Sequence, residues 1–494
     1  MEWAVRVVKK YGDIGLVFLI ALFSRSLMLF FYPYVQWDAA VYLLNAQYFL
    51  GGGGYFEEFR PPLLAALISV VFGGFGVNES LARIIPVLFS ALFITLVYVV
   101  SKEWFGKKVG LFATVLTLFN PYHFEWSPRF YTGIMSSALA MLGVLFLRRG
   151  LFAKTKNTAL AFIFAALAAL ARYVYLALLP LFVFVQFVSH KPWTKKGLKK
   201  SLSDTRIYSS IMLWILIMSP WLIFNAVEYG NMFHSFERGH AIIAGNEYDT
   251  EVTYYVMYGV VMFSLLYGIG LFAIPYVLGV FLLVLLSSVV TLKQPVLKKL
   301  VKRYKNQAWV LLILSGYFIG YVVYFHAVLR HKEIRYLWPL FFPIVIMGSI
   351  LLRDVSEWFS QIRFSYWLIG LSVVCGLILF STFVPRMAGL QAMCGMEPIV
   401  EASHFVGEQG GAVMSPFWPL VAYYGDITET WWMSWEHEFD SDIRLKNISF
   451  VFGTSQVIEP DYVRNQSFFD ARDYLHKVAT FSDTCQTVWV YRVA

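Results

Sequence analysis

The chain has 494 residues, of which 59% are hydrophobic and only 14% are charged, whereas soluble proteins carry about 25% charged residues. This composition excludes an ordinary soluble domain. The net charge of +9 comes from lysines and arginines in short gaps between apolar stretches. We interpret it as a membrane-orientation signal that faces anionic lipid, and it argues against a nucleic-acid surface.

About 11 apolar stretches follow one another along residues 1–385, and a helix that crosses a bilayer needs about 20 such residues. They cover 14–34, 81–100, 109–121, 130–147, 158–171, 174–188, 207–227, 255–290, 308–328, 336–352 and 366–385. The pair 158–171 and 174–188 is too short to cross twice and predicts a hairpin within the membrane boundary. The pattern predicts an all-α polytopic membrane domain.

The basic residues fix the predicted sidedness. They concentrate in alternate gaps, for example from Lys191 to Arg206 and from Lys293 to Lys305. Short loops rich in lysine and arginine stay in the cytoplasm. An odd number of crossings then places the N-terminus in the cytoplasm and the C-terminus on the outer side. The expected location of the protein is the cell membrane or, in a eukaryote, the membrane of the endoplasmic reticulum. The first stretch lacks a small-residue cleavage site and predicts an uncleaved helix.

Residues 386–494 are polar and predict a small extracytoplasmic α/β domain. Short apolar runs predict strands at 411–414, 448–452 and 488–491, whereas 397–408 and 468–478 have helix-like patterns. Cys394 and Cys485 lie in this domain, where oxidation is permitted, and either a disulfide between them or two free thiols is consistent with the sequence.

The first outer loop, residues 35–80, concentrates polar chemistry. Asp38, Tyr42 and Asn45 share one face of a predicted helix, Gly51–Gly54 ends that helix, and Arg60 precedes a short surface helix at 63–72. A carboxylate at membrane depth costs about 2.5–3.5 kcal/mol at a helix centre, which favours a functional role. The alternatives are a helix cap for Asp38 and lipid-headgroup contact for Arg60. The acids of the turn, Glu57 and Glu58, are expected to be solvated.

A second cluster, residues 330–336, precedes the tenth stretch. His331, Lys332 and Arg335 place cations on the side where basic residues are rare, and a lipid phosphate would compensate them. The alternative is a local ion pair with Glu333 together with headgroup binding. The second outer loop adds Glu125 and Trp126, and no histidine or cysteine spacing typical of a metal site occurs.

These motifs resemble the GT-C superfamily of polytopic glycosyltransferases over roughly residues 10–355. The resemblance depends on WDAAVY after the first helix, on RPPLLAAL, and on ESLARIIPVLFSALFITLVYVVSKEWFGKKVGLFATVL, which are typical of the protein O-mannosyltransferase and aminoarabinose-transferase type. HKEIRY followed by LWPL resembles the HKE-x-RF signature of α-mannosyltransferases. Two features depart from the pattern: Asp38 is followed by Ala39 where many relatives have an acidic pair, and Glu125 is the only acid near the fourth stretch.

The resemblance implies transfer of a hexose, with mannose favoured, from a polyprenyl or dolichyl phosphate to an acceptor hydroxyl, with inversion. Asp38 would be the catalytic base, and Arg60, His331, Lys332 and Arg335 would bind the donor phosphate. Trp37, Tyr42, Tyr55, Glu125 and Trp126 would contact substrate, although interfacial aromatics are also membrane anchors. No cofactor is firmly implied, and a divalent cation has no ligand motif. The acceptor (protein, glycan or lipid) stays open, and the alternatives are a transporter or flippase and a non-catalytic scaffold.

Overall fold

The computed structural model describes residues 2–52, 55–153, 157–189, 194–244, 272–273, 275–280, 282–283, 294–304, 307, 310–311, 314, 317, 320–321, 338–359, 361–388, 395–456, 458 and 460–494. The helices of ten or more residues in the membrane part come first. They are α1 (Glu2–Ser26), α2 (Trp37–Phe49), α3 (Leu63–Phe75), α5 (Ile84–Phe105), α6 (Lys107–Leu118), α8 (Thr132–Ala153), α9 (Asn157–Ala171), α10 (Leu178–Val188), α12 (Thr205–Tyr229), α13 (His234–Ala244), α14 (Pro295–Tyr304), α15 (Trp338–Trp358) and α16 (Phe364–Ala388).

Shorter helices connect them, and a second set belongs to the C-terminal part. The short ones are α4 (Glu79–Ala82), α7 (Pro121–Trp126) and α11 (Lys195–Leu202), with 3₁₀ turns at Leu27–Phe31 and Tyr173–Ala177. The C-terminal set is α17 (Met396–Gln409), α18 (Trp418–Gly425), α19 (Phe439–Leu445), α20 (Gln466–Asp470) and a 3₁₀ turn at Asp461–Arg464. The strands are β1 (Ala412–Met414), β2 (Thr430–Trp431), β3 (Ile448–Thr454), β4 (Leu475–Ser482) and β5 (Thr487–Val493).

Among the described residues, six helical segments are long and apolar enough to cross a bilayer. They are Gly12–Phe31, Glu79–Phe105, Thr132–Leu151, Thr205–Tyr229, Trp338–Trp358 and Phe364–Ser381. The predicted helical, multi-pass architecture is confirmed. The count of about 11 crossings stays a prediction, since the stretch 255–290 lies almost wholly outside the described residues.

The chain forms two compact units. The first comprises Met1–Ser26, Pro86–Ser127 and Thr132–Phe383, and the second comprises Leu27–Ile85, Pro128–Tyr131 and Val384–Ala494. The first outer loop therefore belongs to the same unit as the C-terminal residues. The predicted boundary between a membrane domain at 1–385 and an outer domain at 386–494 stays a prediction.

The first unit is a helical body with one large apolar core. Helices α5, α6 and α15 contribute Tyr98, Leu116 and Trp338 to it. At one end of this core the buried carboxylate of Asp354 accepts hydrogen bonds from Arg303 at 2.6 Å and from Tyr304 at 2.5 Å. Arg353 donates to the same carboxylate at 2.6 Å, so this buried acid is fully paired.

A buried arginine, Arg25, lies in the last turn of α1 in the same unit. The Arg25 guanidinium is fully buried and donates to the carbonyls of Thr117 and Leu118 at the C-terminus of α6. It also lies 3.2 Å from Nδ1 of His123. Burial, and then the charge of Arg25, lower the pKa of His123 well below its ordinary value. The neutral imidazole thus serves as an acceptor, and the carbonyls of α6 receive a positive charge where a helix dipole favours one.

The C-terminal part of the second unit is a mixed five-stranded sheet in the order β2-β1-β3-β5-β4. β1 pairs in parallel with β2 and β3, whereas β5 pairs antiparallel with β3 and β4. The predicted strands at 411–414, 448–452 and 488–491 and the predicted helix at 397–408 all correspond to observed elements. Six of the seven residues of β3 are buried, as a central strand requires.

The predicted helix at 468–478 is wrong. Only Gln466–Asp470 is helical, and Leu475–Ser482 is the edge strand β4, paired with β5. Its helix-like pattern reflects mostly exposed residues that a one-sided edge strand tolerates, and pairing with β5 decides the conformation. Cys485 is disulfide-bonded and Cys375 is a free thiol. Cys394, the predicted partner of Cys485, lies outside the described residues.

Candidate active site in the first outer loop

Helix α2 presents the predicted polar face. Its N-cap is Gln36, so Asp38 lies inside the first turn and the helix-cap interpretation of Asp38 is wrong. A carboxylate in the first turn is favourable because it faces the positive end of the helix dipole. Asp38, Tyr42 and Asn45 are 6%, 4% and 2% exposed, which means that the shared face points into the protein.

Arg60 lies between two carboxylates. Its Nη2 donates to Oδ1 of Asp38 at 2.8 Å across 22 residues, and its Nε forms an ion pair with Oε2 of Glu57. The Arg60 side chain is only 18% exposed, which excludes simple headgroup contact as its main role. Two anions and one cation leave this group with one net negative charge. Burial makes such an arrangement sensitive to the loss of any member.

Glu57 is buried, at 7% exposure, so the expectation that it is solvated is wrong. Its backbone N–H donates to Oδ1 of Asn45 at 2.9 Å, and its carbonyl accepts from Nδ2 of Asn45 at 3.1 Å. Its Oε1 accepts from the hydroxyl of Tyr55 at 2.9 Å. Burial and the neighbouring Glu57 charge raise the pKa of Tyr55, which keeps the phenol protonated as a donor.

Aromatic rings pack around Arg60 and around the turn that precedes it. The centre of the Arg60 guanidinium lies 5.2 Å from the Phe59 ring and 6.0 Å from the Tyr42 ring. Phe56 stacks on Tyr48 of α2 at 4.4 Å between ring centroids. These contacts fix the turn that carries Glu57 and Arg60 against α2, so the two carboxylates and the arginine are positioned by packing as well as by charge.

The C-terminal part of the unit contributes aromatic neighbours that the sequence did not predict. Trp37 lies edge-on to Trp418, 6.0 Å between centroids, and to Trp432, at 5.3 Å. Tyr55 contacts Trp418 at 4.3 Å. Trp418 is the first residue of α18, which packs against α2. The backbone N–H of Val35 donates to the hydroxyl of Tyr424, also on α18, at 2.9 Å.

Two further arginines of the same unit, Arg83 and Arg129, contact the segment that leads into α2. Arg83 donates to the carbonyl of Tyr34 at 2.8 Å and forms an ion pair with Glu79. Arg129 lies 5.2 Å from the centroid of the Tyr32 ring. Neither arginine was among the predicted site residues. Arg83 fastens the segment that leads into α2, and the signal for this role, an i, i+4 Glu–Arg pair, was present at Glu79.

Five further residues were predicted for the site. Glu125 and Trp126 lie on α7 in the first unit, where Trp126 packs 5.1 Å from Tyr122. His331, Lys332 and Arg335 lie outside the described residues. Within the described part of the chain, no group of three or more histidines, cysteines or acids could hold a metal ion. The described residues that the structure brings together are therefore Asp38, Glu57 and Arg60. Tyr55 and the rings of Trp37, Trp418 and Trp432 lie beside them.

Comparisons with known proteins show what the fold resembles. The family described as Dolichyl-phosphate-mannose-protein mannosyltransferase matches residues 59–224, about a third of the chain. No curated protein sequence matches the chain. Among solved structures, ArnT from Cupriavidus metallidurans bound to undecaprenyl phosphate has a TM-score of 0.67 at 15% identity, covering 97% of this chain and 98% of that one. The apo form of the same protein has a TM-score of 0.63 at 16% identity, covering 98% of each chain.

A third structure extends the likeness. The oligosaccharyltransferase of Archaeoglobus fulgidus, solved with zinc and sulfate, has a TM-score of 0.56 at 12% identity, covering 96% of this chain and 72% of that one. All three are GT-C proteins. The chain has the fold of the GT-C class of polytopic membrane glycosyltransferases, and the resemblance predicted from its motifs is confirmed.

Proposed function

We propose that this protein transfers a sugar from a polyprenyl-phosphate donor to an acceptor hydroxyl at the outer face of the membrane. The observation that carries the proposal is the buried Asp38–Arg60–Glu57 group at the start of the first outer loop. A carboxylate that is buried beside a membrane helix is costly to keep unless it is used. The similarity to ArnT, whose structure holds undecaprenyl phosphate, and to the mannosyltransferase family supports the donor class.

Asp38 is the proposed general base. Its ion pair with Arg60 at 2.8 Å favours the ionised carboxylate, which is the form that accepts a proton from the acceptor hydroxyl. The oxygen of the acceptor then bonds to the anomeric carbon of the sugar while the bond from that carbon to the phosphate oxygen breaks. The proton ends on Asp38 and the polyprenyl phosphate leaves with the bonding electrons, so attack from the opposite face inverts the anomeric centre.

One carboxylate is sufficient for this reaction. Glycoside hydrolases need a second acid because a sugar alkoxide leaves poorly without a proton. A phosphate leaves as a stable anion, provided that cations receive its charge in a preorganised site. We propose His331, Lys332 and Arg335 for that role. Arg60 faces two carboxylates, so we assign it first to positioning Asp38, and to the donor phosphate only when the donor competes for its N–H groups.

Trp37, Tyr42 and Tyr55 are the proposed sugar contacts, together with Glu125 and Trp126, and mannose is the sugar that the family match favours. We also propose that the N-terminus faces the cytoplasm and that residues 386–494 form an outer domain that helps select the acceptor, which the sequence does not identify. The transmembrane domain would comprise residues 1–385.

A donor-turnover assay tests the proposal. Purified protein in lipid nanodiscs is incubated with radiolabelled undecaprenyl-phosphate-linked mannose, glucose or aminoarabinose and a membrane extract as the source of acceptor. We expect release of undecaprenyl phosphate and label in an acceptor for one of these donors. Translocation of the intact donor across vesicles without release of the phosphate would instead indicate a flippase and contradict the proposal.

A further inference from the structure

The two tryptophans of the C-terminal part that contact the site are the subject of this inference, which rests on the proposed function. We propose that Trp418 and Trp432 form one wall of a carbohydrate subsite, on which a pyranose ring of the donor or of a glycan acceptor stacks. This assigns a substrate-recognition role to residues outside the transmembrane domain and outside the motifs that predicted the site.

Trp418 is joined to the catalytic group by an unbroken series of contacts. Its indole lies 4.3 Å from the Tyr55 ring, and the Tyr55 hydroxyl donates to Glu57 at 2.9 Å. Glu57 shares Arg60 with Asp38. A ligand that contacts Trp418 is therefore separated only by Tyr55 from the hydrogen-bonded group of Glu57, Arg60 and Asp38, the proposed base. Trp418 is only half-buried, so part of its ring is open to a ligand.

Trp432, which follows a strand of the sheet, also contacts Trp37. Trp432 directly follows strand β2, whose last residue is Trp431, and the two rings have different partners. The Trp431 ring receives the ammonium of Lys446 at 5.0 Å, whereas the Trp432 ring lies 5.3 Å from that of Trp37 at an interplanar angle of 69°. This edge-on contact leaves much of the Trp432 face uncovered, and Trp432 is 43% exposed.

The chemistry of this surface suits a sugar better than a lipid chain. Sugars have apolar C–H faces, which stack on aromatic rings, and polar hydroxyl edges, which need carboxylates, phenols and guanidinium groups nearby. Trp37, Trp418 and Trp432 supply the rings, whereas Tyr55 and Glu57 supply the polar partners. An acyl chain has no polar edge and would gain nothing from the phenol and the carboxylate that border these rings.

The test separates aromatic stacking from bulk. Trp418→Leu and Trp432→Leu keep an apolar side chain without a π face, whereas Trp418→Phe and Trp432→Phe keep the aromatic ring. Trp435→Leu is the matched control, because Trp435 is 63% exposed in the same segment. Thermal unfolding of each variant shows whether the unit still folds. Binding of undecaprenyl phosphate, with and without a linked hexose, isolates the contribution of the sugar, and donor turnover with a membrane extract reports transfer.

We expect the leucine variants to lose about tenfold, equivalent to about 1.4 kcal/mol, in one of two readouts while their affinity for bare undecaprenyl phosphate is unchanged. Loss of the sugar-dependent part of donor binding identifies the donor sugar as the stacked ring. Loss of transfer with normal donor binding identifies an acceptor glycan. The phenylalanine variants should lose less than the leucine variants, because they keep an aromatic face, and Trp435→Leu should behave like wild type.

The outcomes that overturn the inference are distinct from the failure of the proposed function. Folded leucine variants with wild-type binding and transfer, beside an active wild type, overturn this inference alone. An equal loss in Trp435→Leu overturns it too, since the effect would then be a general property of an aromatic surface at the bilayer. A wild-type protein that binds and turns over no polyprenyl-linked sugar overturns both.

Discussion

The side-chain amide of Asn45 on α2 makes a pair of hydrogen bonds with the backbone of Glu57, 12 residues further along the chain. Both groups are buried. The pair closes the first outer loop onto α2 and determines where Glu57, and through it Arg60, lies relative to Asp38. Because Asn45 was predicted only to share a helical face with Asp38, its role as the fastener of the site is a result of the structure.

Replacing Asn45 tests this fastening. Asn45→Leu would leave the N–H and carbonyl of Glu57 unpaired in a buried position, which costs about 1–3 kcal/mol for each group. We expect a lower unfolding temperature and a loss of donor turnover. Gln47→Leu, a half-buried position on the same helix, is the control. An Asn45→Leu protein that melts and turns over donor like Gln47→Leu would contradict the assignment.

Removing the cation between the carboxylates should be more damaging than removing one carboxylate. Arg60→Met leaves Asp38 and Glu57 buried without their shared partner, and breaking a buried ion pair in this way costs about 3–5 kcal/mol. Arg60→Met should therefore lower the unfolding temperature more than Glu57→Gln does.

The second-site variant Glu57→Gln should restore part of the stability of Arg60→Met, because it removes one of the two charges. Thermal unfolding of the four proteins of this double-mutant cycle measures the coupling. Additive losses would show that Arg60 and Glu57 do not interact in the folded protein.

The packing of α17 against α18 depends on a glycine. A Cβ on Gly407 would collide with the carbonyl oxygen of Gly425, a backbone atom that cannot move aside. Gly407→Ala should therefore destabilise the C-terminal part by about 1–3 kcal/mol. Gly74→Ala, a helical glycine with open space around its Cβ position, should be neutral or slightly stabilising. Equal unfolding temperatures for the two variants would be inconsistent with the close helix contact.

The acid sensitivity of the C-terminal part has a defined contributor. A hydrogen bond from Arg472 lowers the pKa of Asp440 below its ordinary value, with a further contribution from Tyr474. A carboxyl whose folded pKa is lowered stabilises the protein above its unfolded pKa of about 3.9, and this contribution disappears as the pH falls through the folded pKa.

Asp440→Asn should accordingly reduce the stability difference between about pH 6 and about pH 3, by a small amount because the pair is at the surface. Unfolding temperatures across this range measure the effect, with the exposed Asp473→Asn as control. A wild-type pH profile in Asp440→Asn would show that the Arg472 pair contributes nothing.

Much of the fold could be predicted because hydropathy and charge patterns are local. The spans at 130–147 and 207–227 correspond to α8 and α12, and the pattern of the first outer loop predicted α2 and the short helix α3. The same reasoning failed where distant contacts decide. Glu57 was expected in water because two adjacent acids normally are, yet Asn45, Tyr55 and Arg60 bury and pair it.

The aromatic contacts that the C-terminal part makes with the site could not be predicted from the sequence either. Trp418 and Trp432 lie nearly 400 residues from Trp37 along the chain, and their ring contacts depend on how α18 packs on α2. The strand β4 was missed for a similar reason, since its pairing with β5 outweighs its local pattern.

Donor turnover by Asp38→Asn tests the central claim most directly. The variant keeps the shape of the side chain, and Glu57 still pairs with Arg60, so the protein should fold and bind undecaprenyl-phosphate-linked sugar with affinity within about twofold of wild type. Loss of a general base should reduce the rate of transfer by about 10²–10⁴-fold. Transfer at the wild-type rate by folded Asp38→Asn would contradict the account.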